Sequence, residues 1–117
     1  MIRFQIRHRV PPERIPEFVE VVRRVFAPAV SKQEGFQSCT LLQEYPDTEL
    51  KELGATSDGH HLQIELTFES EELRQKWVAT SEHAEVLAAT SALSEATVYS
   101  GYLVVLDEAS RVGHQAR

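Results

Sequence analysis

Three observations predict an α+β fold of the split βαβ type, a four-stranded antiparallel sheet with helices on one face. Two distant segments, IRFQIRHRV at 2–10 and HLQIELTF at 61–68, alternate apolar with polar residues, the pattern of strands half-buried against a core. After each comes a stretch with helical spacing or a helix-start signal. The order is strand, helix, strand, strand, helix, strand, which lets both helices cover one sheet face and leaves the other open.

In the first strand Ile2, Phe4, Ile6 and Val10 point one way and Arg3, Gln5, Arg7 and Arg9 the other. His8 falls on the apolar side, where a polar ring needs a hydrogen-bond partner or a cavity. From Glu13 to Lys32, Ile15, Phe18, Val19, Val22, Val25, Phe26, Ala29 and Val30 recur at steps of three and four and predict a helix. Pro12 and Pro16 suit its first turn, Pro28 is expected to kink or end it near Ala27, and Gly35 stops it. FQSCTLLQEY (36–45) is the second strand. Leu62, Ile64, Leu66 and Phe68 form the apolar side of the third. Ser70 before EELRQKW supplies an oxygen cap with acidic residues behind it, and Ser81-Glu82 starts a further helical piece running to about Ser91. TVYSGYLVVL (97–106) is the last strand. Residues 1–106 make the single domain, and 107–117 form a C-terminal tail with few apolar residues and an expected tendency to fray.

A chain of 117 residues is one domain. Its net charge of -6 argues against nucleic acid or an anionic membrane as partner, since both need a basic footprint. One cysteine, Cys39, permits no disulfide within the chain and reads as a small packed hydrophobe. No apolar run reaches the length of a signal peptide or membrane span, so a cytoplasmic protein is expected. His60-His61 lacks a third ligand at a recognisable spacing, and adjacent strand residues point apart, so no metal site is expected. The connection YPDTELKELGATSDGHH is long for a hairpin; Asp47 to Leu53 can make a helical turn or two, and the segment could serve as a lid. If the first and third strands are central neighbours, Arg3, Gln5 and Arg7 lie beside Gln63, Glu65 and Thr67, a surface suited to a two-fold contact with a second copy.

Val10-Pro11-Pro12, the helix with Phe18, KQEGF before the second strand, and LTFESEELRQKWVATSEHAEVL resemble the antibiotic biosynthesis monooxygenase-like group over about residues 2–106. The best-matched piece is Glu69-Ser70-Glu71-Glu72 followed by Trp77 and Ser81-Glu82-His83. The resemblance implies a ferredoxin-like, dimeric α+β barrel: a homodimer whose sheets meet face to face, with a pocket in each subunit between sheet and helices. It further implies cofactor-free oxygenation, which needs an apolar pocket, a base near neutrality and donors for the developing anion. No cofactor is expected. Departures from the group's pattern are plain. Leu66 and Phe68 stand where related oxygenases carry an acidic residue and a tryptophan, there is no asparagine, and Leu87 stands near the haem-degraders' ligating histidine.

The candidate site residues are therefore His83 and His8 as bases, with Trp77, Tyr99, Tyr102 and Phe68 lining a small aromatic ligand. Each has a plainer reading: Trp77 as a core anchor four residues after Leu73, His83 as a helix-start residue, and Phe68 as packing. Tyr99 and Tyr102 have opposite parity, so at most one of them faces the helices unless a bulge at Gly101 resets the strand. Two functions stay open: a cofactor-independent monooxygenase acting on a small aromatic or quinol-like molecule, and a dimeric small-molecule binding or sensing domain without turnover.

Overall fold

The computed structural model describes residues 1–108. The strands are β1 (Ile2–Arg9), β2 (Phe36–Gln43), β3 (Leu62–Phe68) and β4 (Ala96–Leu103). They form one antiparallel sheet in the order β2-β3-β1-β4, with β1 and β3 central. The helices are α1 (Ile15–Val21), α2 (Ala27–Ser31), α3 (Asp47–Glu52), α4 (Glu71–Val78) and α5 (Ser81–Ser91). This is the ferredoxin-like α+β fold predicted from the alternating strands. No helix among the described residues is long and apolar enough to cross a membrane. The expected tail lies largely outside the described residues.

The core is built where the periodicities converge. Ile2 and Ile6 from β1 and Leu62, Ile64, Leu66 and Phe68 from β3 are buried against Phe18, Val22, Phe26, Val30, Trp77 and Val86 from the helical layer. Each such side chain contributes about 1.5–3 kcal/mol when fully removed from water. On the open face the central strands interlock through polar groups. Arg3 Nε donates to Thr67 Oγ1 at 3.1 Å, and Gln5 and Gln63 donate to Glu65 Oε2 at 3.1 and 3.0 Å. Arg3 also lies 3.8 Å from Glu65 Oε1.

Pro28 does not end the first helical run. The chain passes from α1 through a π-helical turn, Val22–Phe26, into α2, which continues to Ser31. In that turn the Ala27 N–H reaches back to Val22 O. A proline ring clashes with the carbonyl four residues earlier and offers it no N–H; the wider turn just ahead of Pro28 accommodates both defects and keeps Val22 and Phe26 in the core. Gly35, at φ +81°, makes the exit. A Cβ there would lie 2.4 Å from Leu73 Cδ1, so glycine is needed both for the turn and for the close seating of α4.

Candidate functional site

α4 begins at a true cap: Ser70 Oγ accepts the Leu73 N–H at 3.2 Å. Thr80 Oγ1 does the same for the His83 N–H at 3.2 Å and starts α5. The caps fix the rotation of both helices. Trp77 is turned into the core, and His83 is brought edge-on to its indole at a centroid distance of 5.2 Å. Trp77 thus serves as a core anchor and also as the wall behind His83. Burial, then the nearby Arg74 guanidinium, lowers the His83 pKa below its usual value. The imidazole is accordingly held neutral at pH 7, the form that accepts a proton.

Beside this cluster, the helical layer leaves the β4 edge of the sheet uncovered. A cleft of about 260 Å³ opens there, lined by Ile2, Phe4, Glu71, Arg74, Gly101, Tyr102 and Leu103. Arg74 lies over the Phe4 ring, 4.4 Å from its centroid. Phe4 in turn stacks on Tyr99 at 6.0 Å and an interplanar angle of 25°. The sequence placed Phe4 on the apolar side of the first strand and singled out neither it nor Arg74 as a site residue. Phe4 looks like any strand core residue, and Arg74 like a charge on an exposed helix face; only the bare sheet edge beside α4 makes them neighbours.

Tyr99 and Tyr102 do point to opposite faces. Tyr99 pairs with Ile6 on the helix side, and Tyr102 pairs with Arg3 on the open side, so Gly101 introduces no reset. Tyr102 contributes to the rim of the cleft and also borders a hollow on the open face with Arg3, Gln5 and Glu65. Phe68 is wholly buried, edge-on to Phe36 at 6.1 Å, and lines no part of the cleft.

His8 belongs to another neighbourhood. It is 1% exposed and packs on the edge of Phe18 at 4.9 Å. Its Nδ1 lies 3.2 Å from Ser94 Oγ and 3.3 Å from Thr97 Oγ1, while Nε2 is buried without a hydrogen-bond partner among the described residues. Burial, with a smaller effect from His60, pushes its pKa down to about 4. Ser94 Oγ donates to Ala96 O at 2.8 Å, leaving its lone pairs to accept from His8 Nδ1–H. Phe18, Ser94 and Thr97 surround His8, whereas His83 meets Trp77, Thr80 and Arg74.

The long connection folds toward the opposite end of β1. Arg7 and Arg9 both bond to Asp58, through its carboxylate and its carbonyl. The Asp58 carboxyl is held down to about 2, chiefly by the backbone N–H of His60 and then by Arg7. His61 bridges Val10 O at 2.8 Å. No residue of this connection lines the cleft, so the lid expectation gives way to a clasp on the Arg7 end of the sheet. Among the described residues, no three His, Cys, Asp or Glu side chains converge as a metal site would require.

No protein-family model matches the chain, and no curated protein matches it. Solved structures do. SnoaB, a cofactor-independent oxygenase from Streptomyces nogalater, is 19% identical with a TM-score of 0.70, over 91% of this chain and 94% of that one. A hydroxynitrile lyase from Passiflora edulis is 11% identical with a TM-score of 0.73, over 92% and 96%. A dimeric ferredoxin-like protein of unknown function from Thermobifida fusca is 12% identical with a TM-score of 0.63, over 88% and 90%. An oxygenase and a lyase on one scaffold mean that the side chains, and not the scaffold, must carry any argument about chemistry. At the level of fold, the chain is one of the ferredoxin-like α+β proteins among which the antibiotic biosynthesis monooxygenase-like structures are found.

Proposed function

We propose that the protein is a cofactor-independent monooxygenase of a small aromatic or quinol-like substrate, working as a homodimer. The observation that carries this reading is Arg74, which lines the cleft over the Phe4 ring and also helps lower the pKa of His83, a histidine set edge-on to Trp77 behind the cleft lining. Cofactor-free oxygenation asks the substrate itself to reduce dioxygen, which it does once deprotonated. The protein then needs to supply a base, a site partly shielded from water and a positive group for the resulting anion. His83 is assigned as the base, Trp77 orients its ring, and Phe4 with Tyr102 supplies the aromatic lining of the cleft, Tyr99 backing Phe4. His8, buried at the other end of β1, is assigned a structural role.

The homodimer reading rests on the open sheet face, where Arg3 and Glu65 are half-buried and the apolar Leu42, Val98, Val105 and Leu106 are exposed. One specific observation favours the alternative, a dimeric binding or sensing domain without turnover. The inward face of β3 is entirely apolar and sealed, from Leu62 through Phe68, so it adds no polar group to chemistry.

Oxygen consumption with dihydroxynaphthalenes as trial substrates separates the two. Turnover that falls by about a hundredfold or more in His83→Ala, the usual scale for a lost general base, with little change in His8→Ala, supports the oxygenase. Binding with no oxygen uptake supports the sensing domain.

A further inference from the structure

Arg74 is unusual for an arginine on the first turns of a surface helix. Its side chain is only 17% exposed. Glu71 grips it from the same helix, accepting from Nε at 2.5 Å and from Nη2 at 2.7 Å, and Gln75 donates to Glu71 at 3.3 Å. The guanidinium is thereby held over the Phe4 ring. A helical ion pair of this spacing forms without any aromatic seat; the seat places the cation at the cleft. Nη1 makes no hydrogen bond to any of the described residues, and apart from the Glu71 that orients it, the cleft has no other charged lining. Opposite Phe4 in the sheet register stands Gly101, whose missing side chain leaves the β4 wall flat.

Resting on the reading of this cleft as the substrate site, we propose that it selects planar aromatic anions, with Arg74 receiving the negatively charged oxygen and the ring lying along Phe4 and the Gly101 backbone. A guanidinium fixed in its plane by one carboxylate presents its remaining N–H groups in a set direction, so little freedom is lost when an anionic oxygen arrives. The aromatic ring beneath it keeps the cation partly desolvated, which strengthens that contact. Carboxylate and phenolate ligands share this chemistry.

The test uses 2-naphthoate, its neutral amide 2-naphthamide, and 4-nitrophenol, with calorimetry and the fluorescence of Trp77, the protein's one tryptophan, as readouts. At pH 7 the wild type is expected to bind 2-naphthoate about tenfold or more tightly than 2-naphthamide, the scale of one charge-assisted hydrogen bond. Arg74→Gln should erase that preference, bringing naphthoate affinity down to about that of the amide. Bound 4-nitrophenol should ionise more readily on the wild type than on Arg74→Gln if phenolates are the preferred source; an unshifted nitrophenol with tight naphthoate binding assigns the site to carboxylates. Equal affinity for naphthoate and naphthamide, or an Arg74→Gln variant with unchanged preference, overturns the inference and leaves the cleft reading standing. Failure of every aromatic probe to bind overturns both.

Discussion

His8 shows how one residue can couple packing to pH. In the folded chain its pKa is about 4 because burial disfavours the imidazolium, whereas in the unfolded chain it titrates near ~6.5. The unfolded state therefore takes up a proton first. The stability that the neutral ring contributes is complete above pH ~6.5 and is lost as pH falls toward about 4, a change of about 3 kcal/mol. His8→Leu should flatten the stability profile across that window while costing some stability at pH 7 through the lost contact with Ser94 and Thr97; denaturant melts at several pH values check this. His83 offers a complementary test. Arg74 is one of the two causes that lower its pKa, so Arg74→Gln should raise the midpoint of its imidazole proton resonances in an NMR titration. An unmoved midpoint would separate Arg74 from His83.

At the scale of elements, the placement of α4 rests on Gly35. Its left-handed turn and the approach of Leu73 Cδ1 leave no room for a methyl group. Gly35→Ala should cost about 2 kcal/mol or more, from left-handed strain and from overpacking against Leu73. In a domain of this size that lowers Tm by about 10 °C. Gly35→Ala/Leu73→Ala should show less than the sum of the two single losses, because only the contact with Leu73 is relieved. The long connection behaves differently. Its helix α3 buries Leu50, and its remaining hold on the sheet is largely polar, through Asp58 and His61. Deleting 55–57 should leave Tm nearly unchanged, since loop-closure entropy changes slowly with length. Naphthoate affinity should also be unchanged, because this segment is remote from the cleft; a loss of affinity would restore the lid.

For the whole molecule the question is what the open face meets. Its polar groups satisfy one another within the sheet, Arg3 with Thr67 and Glu65, and Glu65 with Gln5 and Gln63. A second copy can therefore cover them without stranding a charge, which is the condition for burying such groups in an interface. Arg3→Glu would set two carboxylates side by side and should dissociate the dimer, and adding Glu65→Arg should restore association in part. Sedimentation velocity reads both. Dimers that persist in Arg3→Glu, or a wild type that is monomeric, would remove this interface. Arg7 is a poorer probe, since its partner is Asp58 in the connection and its loss would loosen the clasp first.

The sequence alone determined the strand and helix order, the inward faces of β1 and β3, the cap at Ser70 and the opposed tyrosines of β4. All are set by side-chain parity or by hydrogen bonds a few residues long, which local pattern encodes directly. It also indicated that His8 needed an unusual environment, since a lone polar ring on an apolar face is itself a local signal. Tertiary structure decided the rest. The π turn ahead of Pro28 follows from keeping Val22 and Phe26 in one core. The separation of His8 from His83, and the meeting of Phe4 with Arg74, follow from how far α4 and α5 extend across the sheet. The reach of a helix layer over a sheet edge is set by close packing among residues distant in sequence, such as Gly35 against Leu73, and no periodicity within either segment records that contact.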